Sequence, residues 1–230
     1  FWLLATIATE KRDNLNAAIY SQQIIADWER KVTLDPFTLN AGGYVEWARN
    51  LRKQSLSHLS GWLAEQGRLI SESPKDVKLK AEFGGYLIQL GLYDQAREYY
   101  QSAAQLAPKA WSLYYNLGII SDKQNDIESS FGYYEKALAL SPGNMLVLEN
   151  LAASALVQRK YRIAEGIYKE IVVKSPLNGK AWLGLGTTLE KMRNYSEAKL
   201  SYERASRLPN HSLQAELRLK KLADKTSGFL

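Results

Sequence analysis

Few residues of the chain have the type and spacing that chemistry requires. The two histidines, His58 and His211, are far apart in the sequence, and neither lies in a cluster of ionisable residues. A lone histidine is more often a surface or core residue than a base or a metal ligand. There is no cysteine, which excludes thiolate catalysis, disulfides and cysteine-based zinc sites. We therefore expect no catalytic residue, no metal site and no cofactor.

Glycine and charge patterns give no sign of phosphate or nucleic-acid binding. Gly84, Gly85, Gly184 and Gly186 fall in segments of helical periodicity, whereas a phosphate-binding loop joins a strand to a helix. The net charge of +6 comes from 30 basic and 24 acidic residues that are interspersed, with the densest basic cluster at residues 218–225. A nucleic-acid binder would concentrate its basic residues on one face. We expect a protein or peptide as the partner, and no nucleic acid.

The secondary-structure elements that must position any functional residues follow a 34-residue repeat. Each repeat has two apolar stripes at helical spacing with a short polar turn between them, which predicts pairs of antiparallel helices. Small residues would let the two helices approach closely, large ones would fill the space beside them, and a proline cannot continue the helix. At several positions a similar residue recurs every 34 residues: Pro108, Pro142 and Pro176; Gly84, Gly118, Ala152 and Gly186; and Tyr100, Tyr134, Tyr168 and Tyr202.

This pattern resembles the tetratricopeptide repeat, whose signature places Leu-Gly, three aromatic positions, two alanines and a final proline over 34 positions. The segment from Tyr115-Asn116-Leu117-Gly118 through Tyr134-Glu135-Lys136-Ala137 to Pro142 is close to the family consensus. The resemblance implies an all-α fold, a right-handed superhelical array of antiparallel helix pairs. Its four units are expected at 77–110, 111–144, 145–178 and 179–212, the last departing slightly because Pro209 comes one residue early.

The two ends of the chain fit the repeat less well. We expect a degenerate helix pair at 1–36, with Trp2 and Ala5 on its first helix and a second helix ending after Trp28. An atypical helical pair is expected at 37–76, with helices at roughly 39–54 and 56–71. Residues 213–230 are expected to form a capping helix and tail, because solenoids need a terminal helix to cover the open end of their core. The apolar side of that helix would carry Leu213, Leu217, Leu219 and Leu222.

The apolar start of the chain has more than one explanation. The first residue is Phe1 and not Met, which indicates a fragment or a processed form. The apolar residues 1–8 are far shorter than the ~20 residues of a membrane span, and we favour the first helix of the degenerate pair over the remnant of a membrane helix or signal. A membrane tether upstream of residue 1 and a homo-oligomer both stay open.

The resemblance also implies a binding groove. Ligands of the family usually bind the concave wall built from the first helix of each repeat, through six positions of the repeat. Asn116 and Asn150 share the sixth position, where an amide offers a donor and an acceptor to the backbone of an extended peptide, or simply serves local packing. The wall also carries exposed apolar side chains, which suits a partly apolar peptide. We expect partner contacts from Tyr115, Asn116, Ile119, Lys123, Leu146, Asn150, Ala153, Lys180, Leu183 and Thr187.

One ligand class is disfavoured on the same comparison. Family members that bind chaperones carry Lys and Asn at the fifth and ninth positions of one unit, where they clamp a C-terminal carboxylate. This chain has Ala81 and Gly85 at those positions.

The sequence therefore predicts a non-catalytic scaffold that binds a peptide or helix of a partner protein in its groove. Our first expectation is an assembly factor of a bacterial envelope complex, in the periplasm or at the membrane rather than in the cytoplasm. The alternative is a regulatory or substrate-recruiting repeat region of a larger membrane-associated enzyme, such as a glycosyltransferase or a polysaccharide synthesis protein.

Overall fold

Every regular element that the structure describes is an α-helix. This computed structural model describes residues 5, 8, 13–34, 42–208 and 211–227. None of the helices in these ranges is long and apolar enough to cross a membrane. The all-α prediction is confirmed. The helices are α1 (Asn14–Leu34), α2 (Gly42–Glu72), α3 (Val77–Gln89), α4 (Tyr93–Leu106), α5 (Trp111–Lys123), α6 (Ile127–Leu140), α7 (Met145–Val157), α8 (Tyr161–Lys174), α9 (Gly179–Lys191), α10 (Tyr195–Ser206) and α11 (Ser212–Ser227).

The helices from α3 to α10 form four pairs, one in each predicted 34-residue unit. The turn inside each pair ends its first helix in the same way, with one residue in the left-handed conformation and the next amide bonded back to the helix. The amide of Leu92, for example, donates to the carbonyl of Leu87 at 2.8 Å. This is the Schellman ending, which usually takes glycine. The left-handed residues are Gly91, Asn125, Arg159 and Arg193, with φ from 58° to 73°.

A close approach between glycine and tyrosine sets the distance between the paired helices. A Cβ atom added at Gly118 would stand 2.4 Å from the ring of Tyr134, and one at Gly186 would stand 2.6 Å from the ring of Tyr202. Both tyrosines are fully buried. The tyrosine ring therefore occupies the space that a side chain would take, and the small residue at this repeat position is a steric requirement.

The third 34-residue repeat meets this steric requirement in a different way. It has Ala152 at the glycine position, and this alanine is fully buried. Its tyrosine, Tyr168, lies instead over Gly184 of the next repeat, where an added Cβ would stand 2.3 Å from the ring. A side chain that crosses their boundary thus joins the third and fourth repeats.

On a larger scale than the 34-residue repeats, the structure divides into two compact units. The first unit is Phe1–Ala107 and the second unit is Pro108–Leu230. In the first unit α1 packs along α2, and α3 along α4. Its core includes a cluster of Ala18, Ile19, Leu59 and Leu90. The guanidinium of Arg52 donates to the carbonyl of Leu90 at 2.7 and 3.0 Å, which satisfies a backbone oxygen at the end of α3.

Two expectations for the first unit are wrong. The pair of helices expected within residues 37–76 is not found in its described part, because Gly42–Glu72 is one continuous helix. There is no proline at the expected break, and the helix continues through Gly61 and Gly67. Along its length it packs against α1. Helix α1 also runs past Trp28 to Leu34, since the intervening residues contain no Gly or Pro to end it. Trp2, Pro36 and Pro209 lie outside the described residues.

The second unit contains α5 to α11, with consecutive helices packed on one another. Its last helix, α11, packs on α10 through Ala215 and Leu222, which are buried. The apolar side expected for this helix is partly wrong, because Leu213 and Leu217 are 71 % and 53 % exposed. Positions 215, 219 and 222 also follow helical spacing, and it is this stripe that faces the preceding helix.

We predict that Gly118→Ala lowers stability by about 1–3 kcal/mol, because the added methyl group overpacks the space held by Tyr134. The matched control is Gly132→Ala on the neighbouring helix α6, where an added Cβ meets no atom within 4 Å. There the substitution should be neutral or stabilise by about 0.5–1 kcal/mol. Urea denaturation of both variants measures the difference, and equal midpoints would contradict this account of the packing.

We also predict that alkali weakens the fold through its buried tyrosines. Burial raises the pKa of Tyr100, Tyr168 and Tyr202 to about 12, from an ordinary value near 10. The fold therefore favours the neutral phenol, so this stability is complete below a pH of about 10 and is lost as the pH rises towards 12. The melting temperature should fall over that range, and Tyr202→Phe should flatten the fall. A melting temperature that stays constant to pH 12 would refute the prediction.

Candidate partner-binding wall

The ten predicted contact residues lie on three helices of the second unit: α5, α7 and α9. These are the first helices of their pairs. Helix α7 contacts α9 directly, and a side-chain hydrogen bond joins α5 to α7. We call the surface that these residues form the wall.

The bond between α5 and α7 links two of the predicted residues. The side-chain amide of Asn150 donates to the hydroxyl oxygen of Tyr115 at 3.0 Å. The same amide group donates to the carbonyl of Leu146, four residues earlier in its own helix, also at 3.0 Å. Because a carbonyl can only accept, this second bond fixes which end of the amide points at the helix. Both N–H bonds of Asn150 are then used.

The hydrogen-bonding groups that remain available to a ligand are therefore defined more narrowly than the sequence indicated. The side-chain oxygen of Asn150 accepts no hydrogen bond from the described residues, and the hydroxyl of Tyr115 keeps its own proton to donate. Asn116 repeats part of this arrangement, donating to the carbonyl of Ser112 at 2.9 Å. The wall thus offers acceptors from the amides and a donor from the phenol, side by side.

Aromatic packing holds Tyr115 from behind. Its ring centroid lies 6.0 Å from that of Trp111 and 6.0 Å from that of Tyr134. Tyr134 is fully buried and donates to a carboxylate oxygen of Asp122 at 2.6 Å. Burial raises the pKa of Tyr134, and the bond to Asp122 raises it further, so this phenol stays protonated. The buried ring is a fixed support for the Tyr115 side chain.

Charged residues lie on the wall between α7 and α9. The ammonium group of Lys180 lies 3.6 Å from a carboxylate oxygen of Glu149. The other carboxylate oxygen accepts from the side chain of Asn178 at 2.6 Å, and Asn178 also caps α9 by accepting from the amide of Ala181. Lys180 is 63 % exposed, so its ion pair with Glu149 is worth little and its charge is accessible to a ligand. Glu149 is absent from the ten predicted residues, although its fifth position in the repeat was a signal for it.

The exposure of the ten residues differs, and one expectation fails. Leu146 is 57 % exposed, and Lys123 is exposed as well, whereas Tyr115, Asn116, Ile119, Asn150, Ala153 and Thr187 are half-buried. Leu183 was expected to be exposed, but only 8 % of it is accessible. Helix α9 contacts α7, α8 and α10, and the side chain of His211 covers Gly179 at its start. Leu183 is therefore a core residue that leaves little surface for a ligand.

The polar groups of the wall are amides, hydroxyls and exposed charges. Within the described residues no group of three or more His, Asp or Glu side chains is placed to hold a metal ion. His58 is exposed on α2, in the other unit of the chain, and His211 lies against Gly179.

Comparison with known proteins identifies the repeat. The family model described as tetratricopeptide repeat matches residues 83–144 and 150–212. Among curated proteins, the chain is 35 % identical over 86 residues to the aspartyl/asparaginyl beta-hydroxylase of Mus musculus and 34 % identical over 86 residues to that of Homo sapiens. Each match covers 37 % of this chain, but only 12 % and 11 % of the two hydroxylases.

Solved structures share the fold. MamA from Desulfovibrio magneticus RS-1, residues 41 to the end, has a TM-score of 0.63 at 17 % identity, covering 66 % of this chain and 85 % of that one. YrrB, described as a TPR protein with an unusual peptide-binding site, has a TM-score of 0.63 at 17 % identity, covering 70 % and 84 %. With the family model covering more than half of the residues, the chain belongs to the tetratricopeptide repeat family.

Proposed function

We propose that this protein is a non-catalytic scaffold that binds an extended peptide segment of a partner protein along the wall. The observation that carries the proposal is the bond between Asn150 and Tyr115. It leaves an unused amide acceptor beside an unused phenol donor, held in place from two helices. A peptide backbone presents the complementary pair, an N–H donor and a C=O acceptor, in every non-proline residue.

The rest of the wall supports a partly apolar ligand with an acidic side chain. Leu146 and Ile119 offer apolar contact next to the polar pair. Lys180 is the exposed member of the ion pair with Glu149, so an acidic side chain of a ligand finds a partner there. Main-chain hydrogen bonds would then supply affinity without sequence preference, and the apolar and charged contacts would select the segment.

A second candidate function has its own supporting observation. The two curated matches are enzymes, and the part of each that resembles this chain is a small fraction of its length. A repeat region that recruits or regulates within a larger enzyme is therefore the alternative, with the same wall as its binding surface. The wider role, an assembly factor of a bacterial envelope complex, stays a prediction from the sequence.

We predict that a photo-crosslinking amino acid at position 146 captures a partner protein from cells that produce the chain, because Leu146 is the most exposed apolar residue of the wall. The matched control is the same amino acid at position 139, which is exposed on α6, a helix outside the wall. Capture at 146 and not at 139 is expected. Equal capture at both positions would argue against the wall as the contact surface.

We further predict that Tyr115→Phe and Asn150→Ala each weaken binding of the captured segment by about five- to ten-fold, since each removes one hydrogen bond of about 1–1.4 kcal/mol. The control is Tyr133→Phe, which removes a phenol hydroxyl from α6, outside the wall, and should leave the affinity unchanged. Calorimetry on folded variants measures the effect. If both wall variants bind as tightly as the parent, the proposed contact between the polar pair and the peptide backbone is wrong.

A further inference from the structure

A second apolar surface lies in the second unit, away from the wall. Two adjacent cavities, of about 430 and 390 Å³, are both lined by Trp182 and Arg204. They lie between α8 and α10, with side chains of α9 in the floor and the connection after α8 at one end. The indole nitrogen of Trp182 donates to the carbonyl of Pro176 at 2.8 Å, which holds the ring against that connection. We call this surface the Trp182 groove.

Large apolar side chains line the groove and remain in contact with solvent. Val173 is 78 % exposed, Leu177 is 82 % exposed and Leu200 is 61 % exposed. The first two are the most exposed large apolar residues among those that the structure describes. Contiguous exposed apolar surface of this kind, rimmed by charge, is typical of sites where another protein binds.

The internal repeat provides a test of whether packing requires these side chains. One repeat earlier, helices α6 and α8 flank α7 as α8 and α10 flank α9, and they follow the same 34-residue pattern. The matching positions of this earlier surface hold only small residues. Stacking of the repeats therefore does not explain three large apolar residues at this surface. The residues that stand 34 positions before Val173, Leu177 and Leu200 are Ala139, Gly143 and Gly166.

The charges of the groove are asymmetric. At one end Lys169 already lies 2.6 Å from Glu165 and 3.7 Å from Glu197. At the other end Arg204 and Arg207 have no acidic partner among the residues that the structure describes. One repeat earlier, the position of Arg204 is held by Glu170. The apolar floor thus ends at two guanidinium groups whose charge is open to a ligand.

We propose that the Trp182 groove binds an amphipathic helix of another protein, with Asp or Glu side chains following its apolar stripe at the Arg204 end. The groove runs from Glu197 on α10 to Arg207, the residue that follows the helix, about 15 Å at 1.5 Å per residue, which matches roughly three helical turns. Val173, Leu177 and Leu200 contact the apolar stripe, and the two guanidinium groups bind the carboxylates, which Arg recognises in a bidentate manner.

A second copy of this chain is a poor occupant. The exposed apolar residues Leu213 and Leu217 on α11 could supply an apolar stripe. The same helix, however, carries four basic residues, Arg218, Lys220, Lys221 and Lys225, against Glu216 and Asp224, so it would bring net positive charge to the arginine end of the groove. Like charges brought together across an interface oppose binding, so the charge of the groove favours a partner of different sequence.

The test is selection from a displayed library of helix-forming peptides of about 16 residues on the full 230-residue chain. We expect enriched peptides with an apolar stripe and Asp or Glu at one end. Their affinity should fall by at least about ten-fold in Val173→Ser/Leu177→Ser, because the apolar contacts are lost. Repeating the selection on Arg204→Glu/Arg207→Glu should enrich Lys or Arg in place of the acidic residues.

The controls separate this groove from the wall and from misfolding. Ile163→Ser changes another exposed apolar residue of α8, and Asn150→Ala changes the wall, and both should leave the affinity of the selected peptides unchanged. Circular dichroism verifies that all variants keep their helix content. Three results would overturn the proposal: no enrichment, enriched peptides without an acidic bias, or self-association in light scattering that Val173→Ser/Leu177→Ser abolishes.

Discussion

The contact between a buried tyrosine ring and a glycine of the facing helix is the constraint on which the repeat depends. At Gly118 the ring of Tyr134 fills the volume where a side chain would begin, so the two helices approach to the distance of backbone against ring. The same ring then supports Tyr115, whose hydroxyl receives the amide of Asn150 from the next pair of helices. Core packing and the polar surface of the wall are therefore parts of one continuous set of contacts.

The two proposed surfaces use the same scaffold in different ways. The wall draws on the first helices of three pairs and offers fixed hydrogen-bonding groups, whereas the Trp182 groove lies between two second helices and offers apolar area with open positive charge. Helix α9 takes part in both, with Thr187 on the wall and Trp182 in the groove. Because different residues carry the two proposed sites, the two proposals do not exclude each other.

The repeat allowed the sequence to predict much of the fold, because a 34-residue step ties each packing position to several copies of itself. The paired helices and the role of the tyrosines followed from that step. The single helix Gly42–Glu72 did not, since serine and glycine within an otherwise helical segment do not by themselves mark a break. On the wall the sequence identified Tyr115 and Asn150 but not the bond between them, and it misjudged Leu183, because burial at that position depends on which neighbouring helices cover it.

The tyrosine that crosses from the third repeat to the fourth has a consequence for how the array comes apart. In a solenoid, each repeat is stabilised by its own contacts and by those with its neighbours, and the ends fray first. Tyr168 is 6 % exposed and lies over Gly184, so unfolding the fourth repeat would uncover a ring that belongs to the third. The stabilities of these two repeats are therefore coupled, because the loss of the fourth removes packing from the third.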